Sequence, residues 1–319
     1  MDPSFSQNRS HIEKGGKKGL DSDENKDEDN ADIEKTIGSF YTSLVAHLMK
    51  KFSIQERDIS FAIQCMIRLY KKVKEGELRS DVEFNEKETC IGYLFRYAAC
   101  HTALVLKAST TVFDSPDNKL NLKLENTSLN IMFLGGGPGN DALGFLLFLY
   151  GKHEYIRDLS ITVVDKKHGW EEFFKEIIDL YKRIKIPTFM RERNIFKCVN
   201  VISSFIAADL TNSSDWSDEE LLNKLKHADV VFFVKSLSNI PDTMKSIVLQ
   251  NVNENIKAGC LLIYIDCPYP HKLFSSMESS LKLVYKDERK KYDFDFQHYK
   301  FNYEMINSCH AEVRMFQKL

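Results

Sequence analysis

The stretch from Ile131 to Asp141 constrains the fold of this chain more than any other part of its sequence. Its letters are IMFLGGGPGND, and the apolar run ALGFLLFL follows at 142–149. An apolar segment that enters a glycine cluster and continues into a second apolar segment predicts a strand, a tight turn and a buried helix. Because glycine has no Cβ, a ligand can approach the turn closely and meet the first N–H groups of the helix. The turn therefore predicts a site for a nucleotide-like cofactor.

Two common phosphate-binding loops do not fit this turn. The dinucleotide fingerprint G-x-G-x-x-G needs a glycine at position 140, where this chain has Asn140. A Walker loop is excluded because no Gly-Lys-Ser/Thr follows the glycines. The chain has instead a G-x-G-x-G spacing, formed by Gly135, Gly136, Gly137, Pro138 and Gly139. A tight turn with a purely structural role is the alternative interpretation.

Strand and helix patterns alternate from residue 129 onward. Apolar strand segments fall at 129–134, 159–165, 201–208, 229–235 and 260–266, with helical patterns such as 170–184 and 242–256 between them. Continuous apolar strands separated by helices predict a parallel sheet covered on both faces. The segments 281–285 and 311–317 have no clear helix between them, so they predict an antiparallel pair at the sheet edge.

The first third of the chain is different. Residues 1–31 are charged and poor in apolar side chains, which predicts a disordered acidic tail, with a docking tail for a basic partner as the alternative. Residues 32–115 have helical periodicity and predict a helical extension ahead of the domain at 129–319. Its helices are expected from Ile33, from about Ile54 with Ser53 as N-cap, and from Thr89 to about Ala108.

The composition excludes several classes of protein. The net charge is −2, so non-specific nucleic-acid binding is not favoured. The seven cysteines form no C-x-x-C pair, which argues against a zinc knuckle, and we expect no metal. Their odd number argues against a disulfide framework and indicates a reducing compartment. With no membrane-length apolar run and no signal-peptide core, a cytoplasmic or nuclear protein without a membrane segment is expected.

Two later strand segments end in an acid. Asp165 closes the segment ITVVD, and Asp209 follows FIAA and precedes Leu210. A carboxylate about one helix after the glycines can accept both hydroxyl groups of a ribose. The alternatives are a helix N-cap or surface acid for Asp165 and an ordinary strand-end residue for Asp209. Lys235 and Ser236 end the strand at 229–235, where ligands of open α/β sheets bind.

This ordered series over residues 129–319 resembles the class I S-adenosylmethionine-dependent methyltransferases. The resemblance implies an α/β, Rossmann-like sheet, S-adenosyl-L-methionine as the cofactor and methyl transfer as the activity. It implies that the glycine loop passes beneath the methionine part of the cofactor and that Asp165 holds the ribose, with Lys166 after it as a possible wall. It further implies that the carboxylate of Asp209 and the backbone N–H of Leu210 contact the adenine, and that Lys235 borders the cofactor and the substrate.

The chain departs from the family pattern at one position. The family usually has an acid two residues before the first glycine, to support the cofactor's ammonium group, and this chain has Phe133 there. A charged group from elsewhere must replace it, or binding is weaker. In the third helix, Arg96 is a candidate for the methionine carboxylate and His101 for a base beside Tyr97. Buried structural groups are the alternative for all three.

The methyl acceptor and any catalytic base stay open at this point. The third helix with the glycine loop is also similar to methyltransferase-like proteins of unassigned function and, remotely, to fungal ribosomal-RNA uridine methyltransferases. Basic and aromatic residues at 181–197 and 286–291 suit RNA, although solvated surface is the alternative. The segment Asp266 to Tyr269 is a turn that could line a substrate pocket. An RNA or small-molecule methyltransferase and a non-catalytic S-adenosylmethionine-binding sensor or interaction protein both remain.

Overall fold

The computed structural model describes most of the chain. The described residues are 21–74, 84, 86–113, 124–150, 152, 154–183, 195–267, 272–275, 277–296 and 298–319. The predictions for residues 1–20, for much of the loop at 114–128, for the centre of the basic stretch at 181–197 and for Pro268 and Tyr269 lie outside them.

The N-terminal extension is helical, as its periodicity predicts. Its helices are α1 (Asp21–Phe52), α2 (Glu56–Lys74), α3 (Lys87–Tyr93) and α4 (Ala99–Phe113), and a π-helical turn at Leu94–Ala98 joins the last two. The prediction of a disordered tail is wrong for residues 21–31, because α1 begins at Asp21. π-Helical turns are frequent at functional sites, and this one carries Arg96 and Tyr97.

The role predicted for Ser53 is wrong. Its φ is 58°, and the N–H of Ile54 donates to the carbonyl oxygen of Met49 at 3.0 Å. This six-to-one bond after a left-handed residue is the Schellman motif that ends a helix. Ser53 therefore closes α1, and α2 begins at Glu56. A serine between two helices is compatible with either role, so the sequence did not distinguish them.

Within the described residues, seven strands form one sheet in the order β3-β2-β1-β4-β5-β9-β6. Their bounds are β1 Ser128–Leu134, β2 Asp158–Asp165, β3 Asn200–Ala207, β4 Val230–Val234, β5 Leu261–Asp266, β6 Leu281–Asp293 and β9 Ser308–Lys318. Strands β1 to β5 pair in parallel, and β9 pairs antiparallel with both β5 and β6. This confirms the predicted Rossmann-like sheet with its antiparallel edge. Strand β6 extends beyond the predicted segment 281–285 to Asp293. The apolar pattern did not predict its second half, because that half is charged, as is common at a sheet edge.

The connecting helices and a small hairpin complete the domain. They are α5 (Asn140–Leu149), α6 (Trp170–Arg183), α7 (Ile195–Cys198), α8 (Glu219–His227), α9 (Asp242–Asn255) and α10 (Lys272–Ser275), with β7 (Tyr299–Lys300) pairing β8 (Tyr303–Glu304). No helix in the described ranges is long and apolar enough to cross a membrane.

Helix α5 is buried along its whole length, because α4 of the extension packs on one side of it and the sheet on the other. The two helices approach closely at Gly144, where a Cβ would lie 2.4 Å from the carbonyl oxygen of Thr102. A glycine is required at this crossing, since any side chain would separate the helices. The contact holds the extension over the first turn of α5, next to the glycine loop.

Candidate cofactor site

The glycine loop lies between β1 and α5 and has one open face. Gly135, Gly137 and Gly139 have φ values of 70°, 52° and 85°. A Cβ at Gly135 would lie 2.6 Å from the Cβ of Ser236, and one at Gly139 would lie 2.2 Å from the ring of Phe174. A Cβ at Gly137 would meet only the indole nitrogen of Trp170, at 3.9 Å. Gly137 is therefore the point where a ligand can approach the backbone.

Asp165 lies directly against this open glycine. One carboxylate oxygen accepts a hydrogen bond from the N–H of Gly137 at 2.9 Å, and the other accepts one from Lys167 at 3.0 Å. The N–H groups of Gly135 and Gly136 donate to the carbonyl oxygen of Val164, which fixes the loop to the end of β2. Burial raises the pKa of Asp165, while the two backbone donors act in the opposite direction. Lys166 is exposed beside it.

Asp209 and Leu210 follow the end of the neighbouring strand β3. The N–H of Ala208 donates to the carbonyl oxygen of Asp165 at 3.0 Å, so the two strand ends are joined. One carboxylate oxygen of Asp209 accepts from the N–H and the hydroxyl of Thr211, at 2.9 and 2.7 Å. Leu210 is buried, and its carbonyl accepts from the indole of Trp216. The loop is thus rigidly held at the same edge of the sheet as Asp165.

Lys235 points away from the glycine loop. It has a φ of 51°, a conformation that non-glycine residues rarely adopt and that is common at functional sites. Its ammonium donates to the carbonyl oxygen of His310 on β9 and lies 3.9 Å from the sulfur of Cys267. Ser236, rather than Lys235, contacts the loop, through Gly135. Lys235 therefore borders the region beyond the loop, between α4 and β9.

His101 lies near this lysine and is uncharged at neutral pH. Burial and the nearby charge of Lys235 lower its pKa to about 4. Its Nδ1 lies 3.4 Å from the hydroxyl oxygen of Tyr93. The neutral imidazole keeps one N–H and has one unprotonated ring nitrogen that can accept a proton, although its low pKa makes it a weak base.

An aromatic wall formed by Phe84, α3, the π-helical turn and α6 lies beside the open face of the loop. The rings of Tyr93 and Trp170 are 5.5 Å apart, those of Phe84 and Trp170 4.8 Å, and those of Tyr93 and Tyr97 5.6 Å. Trp170 is the residue that Gly137 faces. The sequence pattern singles out Tyr97 but not Tyr93 or Trp170, since aromatic residues at helical spacing are more often part of a core. Flat apolar surfaces beside a glycine loop suit a cofactor with an aromatic or cationic part.

Arg96 does not point toward the glycine loop. Its guanidinium donates to the carbonyl oxygen of Glu304 and lies 6.0 Å from the ring centre of Tyr303. Its own carbonyl accepts from the N–H of Ile306 at 2.8 Å. These contacts favour the structural alternative for Arg96, which ties the π-helical turn to the segment before β9.

Two buried polar residues at the start of α5 were not predicted. The hydroxyl of Thr102 donates to the carbonyl oxygen of Asn140 at 2.8 Å and lies 2.7 Å from the hydroxyl of Tyr41. The amide nitrogen of Asn140 donates to a carboxylate oxygen of Asp141 at 2.7 Å. Burial, and then the charge of Asp165, raise the pKa of Asp141 well above its usual range. The sequence feature that could have indicated these two residues is the polar pair Asn140-Asp141 directly before the apolar run at 142–149.

Phe133, the departure from the family pattern, is part of the core. It is 1 % exposed, and its ring stacks on Phe232 at 4.8 Å with an interplanar angle of 8°. Position 133 therefore offers no polar group to the loop.

The basic segment at 286–291 lies on β6, where acids accompany its lysines. Lys286 pairs with Glu288 at 3.5 Å, Lys290 with Asp287, and Lys291 with Asp293 at 2.6 Å. This pairing favours the alternative of a solvated surface. In the described part of the chain, no three histidine, cysteine or acidic side chains are arranged to hold a metal ion.

Comparisons with known proteins give a distant likeness in structure alone. No protein-family model matches the chain, and no curated protein matches its sequence. Among solved structures, magnesium protoporphyrin IX methyltransferase of Synechocystis is 9 % identical, with 75 % of this chain and 87 % of that chain covered and a TM-score of 0.40. A SAM-dependent methyltransferase of Methanosarcina mazei is 13 % identical, with 61 % and 93 % covered and a TM-score of 0.39. Precorrin-6y C5,15-methyltransferase of Geobacter metallireducens is 15 % identical, with 62 % and 86 % covered and a TM-score of 0.35.

Proposed function

We propose that this chain binds S-adenosylmethionine and transfers its methyl group to an acceptor. The observation that carries the proposal is the carboxylate of Asp165, held by the N–H of Gly137 where the glycine loop is open to a ligand. A strand-end acid bonded to such a loop can accept the hydroxyl groups of a ribose. The same edge of the sheet carries Asp209 and Leu210, which suit the adenine.

The residues present fit this cofactor. A Cβ at Gly137 would fill the space that a ligand needs, and Trp170 and Tyr93 form a flat wall beside it. Asp165 would hold the ribose, the backbone after Asp209 would meet the adenine, and the loop would hold the methionine part. The bound cofactor supplies an activated methyl group on its sulfonium, so the protein contributes mainly proximity and orientation.

The acceptor would enter beside Lys235 and His101, beyond the methionine part of the cofactor. His101 is uncharged at neutral pH and could accept a proton, and Lys235 supplies a positive charge. RNA and small molecules are both candidate acceptors.

Calorimetry of the whole chain with S-adenosylmethionine and with NAD tests the cofactor. We expect micromolar-range binding of S-adenosylmethionine, and at least tenfold weaker binding by Asp165→Ala because the ribose loses its acceptor. Asp158→Ala is the matched control, since Asp158 is an exposed acid at the other end of the same strand. Heat with NAD but none with S-adenosylmethionine would overturn the proposal.

A non-catalytic sensor is the second candidate, and the buried apolar ring at position 133 favours it. Tritiated methyl transfer from the cofactor into the RNA, protein and small-molecule fractions of a cell extract separates the two. Label in any fraction supports the enzyme. Cofactor binding without transfer to any fraction supports the sensor.

A further inference from the structure

We propose that Asp141, together with the side-chain oxygen of Asn140, binds the α-ammonium group of the cofactor and replaces the acid that position 133 lacks. This inference rests on the proposed function, because it assigns one group of the same ligand.

Two hydrogen-bond acceptors lie together at the start of α5. Asn140 and Asp141 are 1 % and 3 % exposed. The amide nitrogen of Asn140 donates to Asp141, and the amide oxygen has no hydrogen-bond partner among the described residues. Turning the amide over would place its oxygen against the carboxylate, so the observed orientation is the favourable one. A buried oxygen without a donor is costly unless a ligand supplies one.

The two carboxylates near the loop, Asp165 and Asp141, differ in the hydrogen-bond donors that they receive. Each oxygen of Asp165 accepts a backbone N–H, from Gly137 or from Lys167. Asp141 has one neutral amide as its donor, and no lysine or arginine of the described ranges pairs with it. The titratable groups that face it are Asp165, Tyr41 and Tyr93, none of which is a cation. A positively charged donor would therefore complete the hydrogen bonding of Asp141 and offset its buried charge.

A primary ammonium meets both requirements at once. It carries a positive charge for Asp141 and three N–H donors, of which a second can reach the oxygen of Asn140. The ring of Tyr93, which lies near Asp141 and packs on Trp170, adds an aromatic surface that favours a cation. Because Asp141 follows the last glycine of the loop by two residues, it lies where the methionine part of the cofactor would end.

The test compares three ligands that differ in this group. S-adenosylhomocysteine has the α-ammonium, its deaminated analogue lacks only that group, and 5′-methylthioadenosine lacks the whole amino-acid part. Dissociation constants are measured by calorimetry for the wild-type protein, for Asp141→Asn and for the control Asp242→Asn. Asp242 is an acid in the first turn of a different helix, α9, where its carboxylate pairs with Lys245.

We expect the wild-type protein to bind S-adenosylhomocysteine at least tenfold more tightly than the deaminated analogue. In Asp141→Asn this preference should fall to about twofold or less, while binding of 5′-methylthioadenosine stays within twofold of wild type. Asp242→Asn should keep the full preference.

Equal binding of the first two ligands by the wild-type protein would overturn the inference, and this measurement does not depend on any variant folding. An equal loss for all ligands in Asp141→Asn would overturn it as well, because Asp141 would then only shape the loop. If the wild-type protein bound none of the three, the proposed function itself would fail.

Discussion

The two ends of the parallel sheet each carry a buried aspartate, and these two carboxylates differ in their hydrogen-bond donors and in their cationic partners. At the amino end, Asp229 precedes β4 and accepts hydrogen bonds from the backbone and side chain of Asn130, at 2.8 and 3.4 Å. Its other oxygen lies 2.7 Å from the ammonium of Lys257. At the carboxyl end, Asp141 has one amide donor and no cation among the described residues.

We interpret this difference as one between a structural end of the sheet and the end where the proposed cofactor would bind. The contacts of Asp229 join β1, β4 and the segment before β5, and they leave little for a ligand to add. A buried carboxylate with a raised pKa and no cation is unfavourable in the free protein. Groups with such perturbed pKa values cluster at functional sites. The predictions below test this comparison from the largest expected effect to the smallest.

His101, at the carboxyl end of the sheet, should make the stability of the folded protein sensitive to acid. Its pKa is lowered from 6.5 to about 4 in the folded protein, so the unfolded chain binds the proton more readily between these values. The free energy of unfolding is therefore unaffected by this group above pH 6.5 and falls by about 3 kcal/mol as the pH decreases toward 4. Urea unfolding measured from pH 7.5 to 4 should show a shallower loss in His101→Gln. Identical slopes in both proteins would contradict a half-buried His101 that is neutral at pH 7.

Asp229→Ala should lower the free energy of unfolding by about 2 kcal/mol, because it leaves the backbone N–H of Asn130 without its acceptor and removes the carboxylate that pairs with Lys257. Lys257 is partly exposed, which limits the loss. Chemical unfolding measures the change, with the exposed Asp158→Ala as control. Cofactor affinity should not change, and a large loss of affinity would show that the two ends are not independent.

Gly137→Ala should cost about 1 kcal/mol of stability, because its φ of 52° is left-handed. Its larger effect should be at least tenfold weaker binding of S-adenosylmethionine, since the new methyl group occupies the open face of the loop. Gly259→Ala is the matched control, because Gly259 also has a positive φ, 77°, but lies at the amino end before β5. Thermal denaturation and calorimetry separate the two effects. Equal affinities in the two variants would mean that Gly137 does not face the ligand.

Asp141→Asn should raise the stability of the ligand-free protein at pH 7.5, by about 0.5 kcal/mol, since the amide keeps the hydrogen bond and carries no buried charge. The pKa of Asp141 is raised in the folded protein, so Asp141 lowers the free energy of unfolding increasingly as the pH rises above 3.8. Below pH 3.8 this destabilising contribution vanishes. Unfolding measured at pH 7.5 and at pH 3.5 checks this. A variant less stable than wild type at pH 7.5 would place Asp141 with Asp229 as a structural acid.

Local patterns were sufficient to predict much of the sheet and part of the site. The strand, glycine turn and helix at 128–149 follow from a switch of hydrophobic period around residues that need a positive φ. Asp165 was found because an acid at a strand end, one helix after the turn, must lie at the same edge of a parallel sheet. The hydrogen bond from Gly137 to Asp165 is the direct result.

Other residues could not be assigned from local patterns. Lys235 ends the expected strand, but its direction depends on β9, which lies 75 residues later in the chain and accepts its hydrogen bond through His310. Asp141 looks like an ordinary acid near a helix start, where the helix dipole favours negative charge. Its burial depends on α4, which crosses α5 at Gly144 and covers the first turn.

The sequence by itself therefore determined the order of strands and helices, the glycine turn and the edge of the sheet that carries the proposed cofactor site, because hydrophobic period and backbone sterics are local. Only the tertiary structure decided which polar groups are left without partners at that edge. Burial depends on which distant element covers a residue, so the tertiary structure gives Asp229 a lysine and leaves Asp141 without a cation among the described residues.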